Sequence, residues 1–265
     1  MHIGIIGLGL VGSAIKYGFK KLGHKVDFHD IKQNTSINDI INSEVCFICV
    51  PTPSLDSGKC NVKIVKSVVN ELSDINYGGL IAIKSTVEPG TTARLMKLYP
   101  KLKISYVPEF LRERCAEIDF ISNHDVCIIG TDNKDYFSLV KNAHGNYPRK
   151  FVQLSVTEAE LSKYFNNVYN ATLITFANNF YEICKTLGVD YTKVKNGIVE
   201  RAHITNLYLD CNDNFRGFGG PCLPKDTKAL QYLADKINSK GSLFKTVLED
   251  NKKYKTTVHE NMREE

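Results

Sequence analysis

The sequence predicts an α/β fold in which a doubly wound parallel sheet is followed by an all-helical domain, and three observations carry that prediction. Short apolar runs alternate with helical stretches through residues 1–154. The turn Gly7-Leu8-Gly9-Leu10-Val11-Gly12 follows the first of these runs and opens a helix. From residue 155 the alternation stops, and apolar residues recur at helical spacing. The expected organisation is a dinucleotide-binding domain over 1–154 and a helical domain over 155–265.

The runs at 3–6, 26–28, 45–50, 80–83, 103–107 and 126–129 read as strands, and 62–72 and 133–142 as helices between them. Strands alternating with helices suit a parallel sheet, because parallel neighbours need crossover connections. In the glycine turn, Gly7 permits the tight bend, Gly9 lets a pyrophosphate approach the backbone and Gly12 lets helix pack on strand. With Leu8, Leu10 and Val11 they form a candidate phosphate site at a helix N-terminus. Asp30 closes "KVDFHD" about twenty residues on, where a carboxylate accepts hydrogen bonds from a ribose and repels a 2′-phosphate. NAD is therefore expected over NADP, with Lys32 acting against that preference.

Residues 155–188 read as one long helix. Ser155 with Glu158 forms a capping pattern, Gly188 supplies the stop, and Leu161, Phe165, Val168, Thr172, Phe176 and Ile183 recur at helical spacing. About 30 residues extend roughly 45 Å. Its apolar surface exceeds what one small domain needs to bury, so a homodimer is expected. Lys163 and Asn167 lie four apart on one face. The chain beyond Gly188 is expected to be helical, and the charged tail at 249–265 a solvated, fraying helix.

In "GFGGPCLPKD", residues 217–226, Pro224 is expected at a first helical position, opening a helix that carries Lys228, Leu230 and Leu233. Cys222 then stands at the positive end of that helix, near Lys225. Both features favour thiolate over thiol and mark Cys222 as a candidate nucleophile.

Whole-chain properties narrow the partners. Hydrophobic residues make up 43% of the 265, ordinary for a globular protein, and no apolar run reaches membrane length. The first residues, "MHIGIIGLGLVG", read as a buried strand and not as a leader, so a cytoplasmic protein is expected. Eight irregularly spaced cysteines read as thiols. Cys46 and Cys49 fall inside the strand pattern "EVCFICV", so no metal site is expected there or elsewhere. The net charge of +5 is spread along the chain, which suits an anionic small ligand and not nucleic acid.

Five segments in fixed order behind the glycine turn then become specific: "VPTP" at 50–53, "KSTVEPGTT" at 84–92, "YVPEFLRE" at 106–113, "EAELSKYFNN" at 158–167 and "GFGGPCLPKD" at 217–226. They resemble the UDP-glucose/GDP-mannose dehydrogenase family over nearly the whole chain and are most similar to its UDP-glucose 6-dehydrogenases. The resemblance implies a Rossmann-type cofactor domain and a helical central domain that dimerises. It also implies a two-step oxidation of a sugar C6 alcohol that reduces two NAD⁺ without releasing the aldehyde. Cys222 is then the nucleophile that forms a thiohemiacetal and a thioester. Lys163 and Asn167 stabilise the alkoxide and oxyanion, and Asp226 organises proton transfer. Glu109 activates water with help from Thr86. Val50, Thr52, Pro53, Ser85, Thr86, Glu113 and Lys225 fall to the cofactor. Glu109, Phe110, Leu111, Arg112 and Glu113, with Lys163, Asn167, His203, Phe218 and Gly219, fall to the nucleotide-sugar substrate, UDP-glucose by resemblance.

The chain also departs from the family. Relatives continue into a third, nucleotide-closing domain, and the stretch from Asp30 to Val45 is short. His203, with Arg201 nearby, stands where an arginine is common, and Pro221 stands where serine is frequent. A compact form with ordinary NAD binding, weak UDP-sugar binding and slow turnover is expected. A single-oxidation β-hydroxyacid dehydrogenase, which would not use Cys222, and a non-catalytic NAD-binding remnant are the other readings. Two, one or no NADH per substrate separates the three.

Overall fold

The computed structural model describes residues 1–254, so most of the charged tail lies outside the described residues. Seven strands form one sheet: β1 (His2–Ile6), β2 (Lys25–His29), β3 (Val45–Ile48), β4 (Leu80–Ile83), β5 (Lys103–Tyr106), β6 (Val126–Gly130) and β7 (Lys150–Leu154), in the order β2-β1-β3-β4-β5-β6-β7. The first five are parallel, in the register His2↔Lys25, Ile3↔Val45, Val45↔Leu80 and Leu80↔Lys103. β6 meets β5 antiparallel through Tyr106↔Gly130, and β7 runs parallel to β6. The sheet is therefore mostly, not wholly, parallel. Helices α1 (Leu10–Lys21), α2 (Lys63–Asp74), α3 (Thr91–Leu98), α4 (Ala116–Ile121) and α5 (Lys134–His144) connect the strands.

Every residue of β3 and β4 is buried, as are Ile3 to Ile6 of β1, which accounts for unbroken apolar runs that neither alternate nor carry charge. β7 was not apparent from the sequence. It lies at the sheet edge with Lys150 and Gln153 exposed, so no continuous apolar run announces it. Strand order reverses between β1 and β3, and the chain leaves the carboxyl ends of those two strands in opposite directions. This switch point is where open α/β sheets leave a binding crevice.

The long helix α6 (Val156–Thr186) starts and stops where its signals stand. The Ser155 amide donates to Glu158 Oε2 at 2.8 Å, and the Glu158 amide approaches Ser155 Oγ at 3.4 Å. Gly188, at φ +69°, ends the helix in the left-handed conformation. The start of α6 packs on the end of β6, so closely that a Cβ on Gly130 would lie 2.7 Å from the Ala159 methyl.

The chain divides into two compact units. The first comprises Met1–Pro53 and Cys60–Lys163, and the second Ser54–Lys59 and the chain from Tyr164 onward. The composition change near residue 155 marks the beginning of α6, and the division falls further along the same helix. In the first unit the core lies where the sheet meets its helices, around Ile3, Ile5, Phe19, Phe47 and Phe120. The second unit adds α7 (Tyr191–Ile198), α8 (Leu223–Lys236) and α9 (Leu243–Asn251). Small cores form there around Ala177, Cys184 and Tyr191 and around Ala171, Phe218 and Val247. Contrary to the helical expectation, residues 199–222 are turns and loop. Asn212, Asp213, Asn214, the glycines 217, 219 and 220 and Pro221 all favour turns over helix.

Candidate active site

The glycine turn of the first unit shows why each of its glycines is needed. Gly7 has φ +89°, and a Cβ there would meet the Cys49 carbonyl oxygen at 2.8 Å; one on Gly12 would lie 1.9 Å from the Gly7 carbonyl oxygen. A Cβ on Gly9 would touch nothing within 4 Å. Gly7 and Gly12 are thus required by the fold, and Gly9 leaves its face open to an incoming group. No side chain caps α1, so its first amides remain available to an anion. A cleft of about 610 Å³ opens beside the turn, lined by Leu8, Gly9, Leu10, Glu113, Arg114 and Cys115. Val11 sits half-buried within the helix start.

Asp30 braces this turn. Its Oδ2 accepts from the Leu8 amide at 2.6 Å and its Oδ1 from the Lys32 amide at 2.8 Å, and these two bonds hold its carboxyl below the usual range. Each oxygen retains a second acceptor position for a ribose hydroxyl. Lys32 contributes its backbone, and its side chain is exposed. Ser85 Oγ donates to the Val50 carbonyl at 2.7 Å, tying together the ends of β4 and β3. Thr52 is buried beside the exposed Pro53, and the Thr86 carbonyl accepts from Cys60 Sγ at 3.5 Å. An open glycine face, uncapped amides and a ribose acceptor fit a dinucleotide; the adenosine end would rest on Asp30 and the pyrophosphate on Gly9 and Leu10.

Glu109, in the loop after β5, is the best-determined acid of this unit. Its Oε2 accepts from Lys84 Nζ at 2.7 Å, with the two side chains 5% and 1% exposed. Its Oε1 accepts from the Phe110 amide at 2.9 Å, and its carbonyl oxygen accepts from Lys163 Nζ at 2.6 Å. Burial alone would push the Glu109 carboxyl up. The Lys84 charge, aided by His124 and the hydrogen bonds, instead holds it down at about 2. Burial opposes charge on Lys84 as well, and Glu109 more than offsets it, raising the lysine above its usual value. Lys163 also lies 5.5 Å from the Phe110 ring centroid.

Arg112 grips Asp119 by two guanidinium bonds of 2.9 and 2.6 Å and by its own amide. It thereby fixes the loop that presents Glu113, and Leu111 packs on the core. Glu160 caps α3: its carboxylate accepts from the Gly90 amide at 2.5 Å and the Thr92 amide at 2.7 Å. This cap joins the "PGTT" turn to the helix that carries Lys163.

In the second unit, Cys222 is the N-cap residue of α8 and is exposed. The helix begins at Leu223, with Pro224 in its second position, one place later than expected. Asp226 is 1% exposed; its Oδ2 accepts from Asn167 Nδ2 at 2.5 Å and its Oδ1 from Lys225 Nζ at 2.6 Å. The Lys225 ammonium thus pairs with the buried Asp226 carboxylate, beside Cys222 in the chain. Phe218 is 3% exposed, its ring packed with Ala171 and Val247. Its ring therefore anchors the cysteine loop in the core, and Gly219 beside it is half-buried. His203 and Arg201 lie on an exposed turn after α7.

Among the described residues no cluster of three or more histidine, cysteine or acidic side chains is placed to hold a metal. Cys46 and Cys49 are held by burial well above the usual thiol range, Cys49 at about 12. No described helix is long and apolar enough to cross a membrane.

Three contributors escaped the sequence reading. Lys84 had one signal, a lysine directly after the apolar "LIAI"; Glu160 and Arg114 had none that distinguishes them from surface residues. The pair at Lys84 yields a test. Lys84→Met leaves Glu109 buried without its counter-charge, and stability at pH 7 should fall by about 3–5 kcal/mol. In the native protein Glu109 is depressed, so its contribution is present above 4.5 and lost as pH falls toward 2. In the variant the uncompensated carboxylate is relieved by protonation. Denaturant titrations should therefore show the gap between the two proteins narrowing as pH falls from 7 to 4; a gap that stays constant or widens contradicts the assignment.

Comparison with known proteins agrees with this geometry. Residues 32–147 match the NAD binding domain of the UDP-glucose/GDP-mannose dehydrogenase family, and residues 157–253 its central domain. A UDP-glucose 6-dehydrogenase of Rickettsia felis is 33% identical over 224 residues, 81% of this chain and 49% of the relative. One from Haloferax volcanii is 30% identical, over 87% of this chain and 64% of the relative. The chain thus spans about half to two-thirds of these relatives' length. The structure of a UDP-glucose dehydrogenase from Pyrobaculum islandicum superposes with TM-score 0.87 at 27% identity, covering 95% of this chain and 68% of that one. With both domain matches falling in order over most of its length, the chain belongs to the UDP-glucose/GDP-mannose dehydrogenase family.

Proposed function

We propose that this chain is an NAD-dependent nucleotide-sugar 6-dehydrogenase, acting on UDP-glucose or a close relative by two oxidations through Cys222. The observation that carries the reading is the placement of Cys222, an exposed thiol at the N-cap of α8, one turn before the buried Asp226 that Asn167 and Lys225 hold. A thiol so placed has no use in a single alcohol oxidation. NAD, when bound, accepts the hydride in each oxidation.

The chain's own residues do the rest. Cys222 adds to the aldehyde carbon as thiolate, and the thiohemiacetal loses its second hydride to become a thioester. Water then cleaves the thioester, giving carboxylic acid and free thiol. Lys163, held at the Glu109 carbonyl, supplies positive charge to the alkoxide of the first step, and Asn167 donates to the tetrahedral oxyanion. Glu109, kept ionised by Lys84, accepts a hydrogen bond from the attacking water and orients it, with Thr86 beside it. Asp226 relays the released proton. A catalytic thiolate is kept reactive in a reducing compartment, which supports a cytoplasmic location.

Purified protein with NAD⁺ and a panel of nucleotide sugars tests the reading, with NADH and acid followed together. Two NADH per acid are expected, and Cys222→Ser should abolish acid formation while leaving NAD binding unchanged. One NADH per product, or full acid production by the variant, contradicts it.

The assembly belongs to the same proposal. Phe165, Tyr169, Phe176, Phe180, Ile183 and Leu187 of α6 and its end are all at least 40% exposed along one face of the helix. Phe165 stacks on Tyr169, and Phe176 packs on Phe180. An apolar stripe of about 33 Å offers the same surface to a second copy, and we assign it to a homodimer. Sedimentation should give a dimer at micromolar concentration that Phe176→Glu with Phe180→Glu converts to monomer. A monomeric native protein contradicts the assignment.

A further inference from the structure

The loop that carries Cys222 is held from behind by two asparagines that the proposed chemistry does not use. Asn251, the last residue of α9, accepts from the Phe218 amide at 2.7 Å through Oδ1 and donates to the Phe218 carbonyl at 2.9 Å through Nδ2. One side-chain amide thus satisfies both backbone groups of one residue, as a neighbouring strand would. Asn178 of α6, 1% exposed, meets the loop just before it: its Oδ1 accepts from the Gly217 amide at 3.2 Å and from Arg216 Nε at 2.7 Å. Arg216 is itself stacked by Tyr254, its guanidinium carbon 4.2 Å from the ring centroid, and by Tyr181 at 4.8 Å.

Beyond Phe218 only Gly219, Gly220 and Pro221 intervene before Cys222, and Gly220 has φ +75°. Two glycines in succession have little conformational preference of their own, so the path of the chain into Cys222 depends on what fixes it at either end. On the far side α8 fixes it, the Asp226 amide donating to the Cys222 carbonyl at 2.9 Å. On the near side Phe218 is the last fixed point, its ring held in the core by Ala171 and Val247 and its backbone by Asn251.

We propose that Asn251 is a positioning residue for the Cys222 loop, clamping the Phe218 backbone so that the Gly219-Gly220-Pro221 segment delivers the thiol to the N-terminus of α8. The inference rests on the reading of Cys222 as the nucleophile. The simplest competing account is that Asn251 merely docks α9 on the unit. Asn179 provides the control: its Nδ2 donates to Asp250 Oδ2 at 3.0 Å, joining α6 to the same end of α9 without touching the loop.

The test is the alkylation rate of Cys222 by iodoacetamide at fixed neutral pH, resolved on the Cys222 peptide, with thermal melts of each variant alongside. Cys222 is already exposed. Loosening the loop therefore adds no access and leaves the thiol less tightly oriented at the helix end that favours thiolate. Asn251→Ala should slow alkylation about fivefold or more. Asn251→Asp, which keeps the acceptor for the Phe218 amide and loses the donor to its carbonyl, should fall between, and Asn179→Ala should stay within about twofold of native. With a nucleotide sugar and NAD⁺, kcat should fall in the same order with the Kd for NAD unchanged.

Native alkylation rates in both Asn251 variants overturn the proposal, as does an equal fall in Asn179→Ala. If Asn251→Ala does not fold, the comparison of Asn251→Asp with Asn179→Ala carries the same two outcomes. Alkylation needs no turnover, so failure of the nucleophile reading, seen as an active Cys222→Ser, is distinguishable from failure of the clamp.

Discussion

The buried pair between Lys84 and Glu109 fixes more of the first unit's chemistry than any other contact. Two charges removed from water at 1% and 5% exposure contribute little net stability, because desolvation offsets most of their attraction. What the pair supplies is a carboxylate that stays charged and keeps one rotamer. The loop after β5 is thereby pinned to the end of β4, and its backbone carbonyl is presented to Lys163. A carboxylate held so far below neutrality is a weak proton acceptor and a strong hydrogen-bond acceptor. It is suited to orienting a water more than to storing its proton.

Around that pair the first unit is organised by close approaches. Gly7 and Gly12 allow α1, β1 and β3 to meet where a Cβ would collide, and Asp30 ties the turn back to the end of β2 through the Leu8 amide. The same carboxylate that stabilises the turn keeps acceptor positions open to a ribose hydroxyl, so in the proposed reading cofactor preference and local fold rest on one side chain. The second unit repeats the strategy with different parts. Asp226 is buried between an amide and an ammonium, and the loop leading to Cys222 is held by side-chain amides where secondary structure is absent.

The sequence displayed the features that follow from local physics. The glycine turn, the buried runs of β1, β3 and β4 and both ends of α6 follow from steric need, burial on two faces and capping chemistry, all of which leave marks within a few residues. β7 left none, because an edge strand with Lys150 and Gln153 facing solvent lacks the run that signals burial. Lys84, Glu160 and Asn251 act on residues 25, 70 and 33 positions away in the chain. Spacing cannot reveal such partners. The burial of Phe218 was hidden for the same reason: the core that takes its ring comes from α6 and α9.

The charge state of Glu109 is open to direct measurement. Protein labelled with ¹³C at the glutamate side-chain carboxyl, with Glu109→Gln to assign the signal, can be titrated across acidic pH. The account predicts that the Glu109 resonance keeps its ionised shift through 4.5, the ordinary value for the group, and moves only as pH approaches about 2. A protonation midpoint at or above 4.5 would show that Lys84 does not hold the carboxylate, and the account of this site would fail.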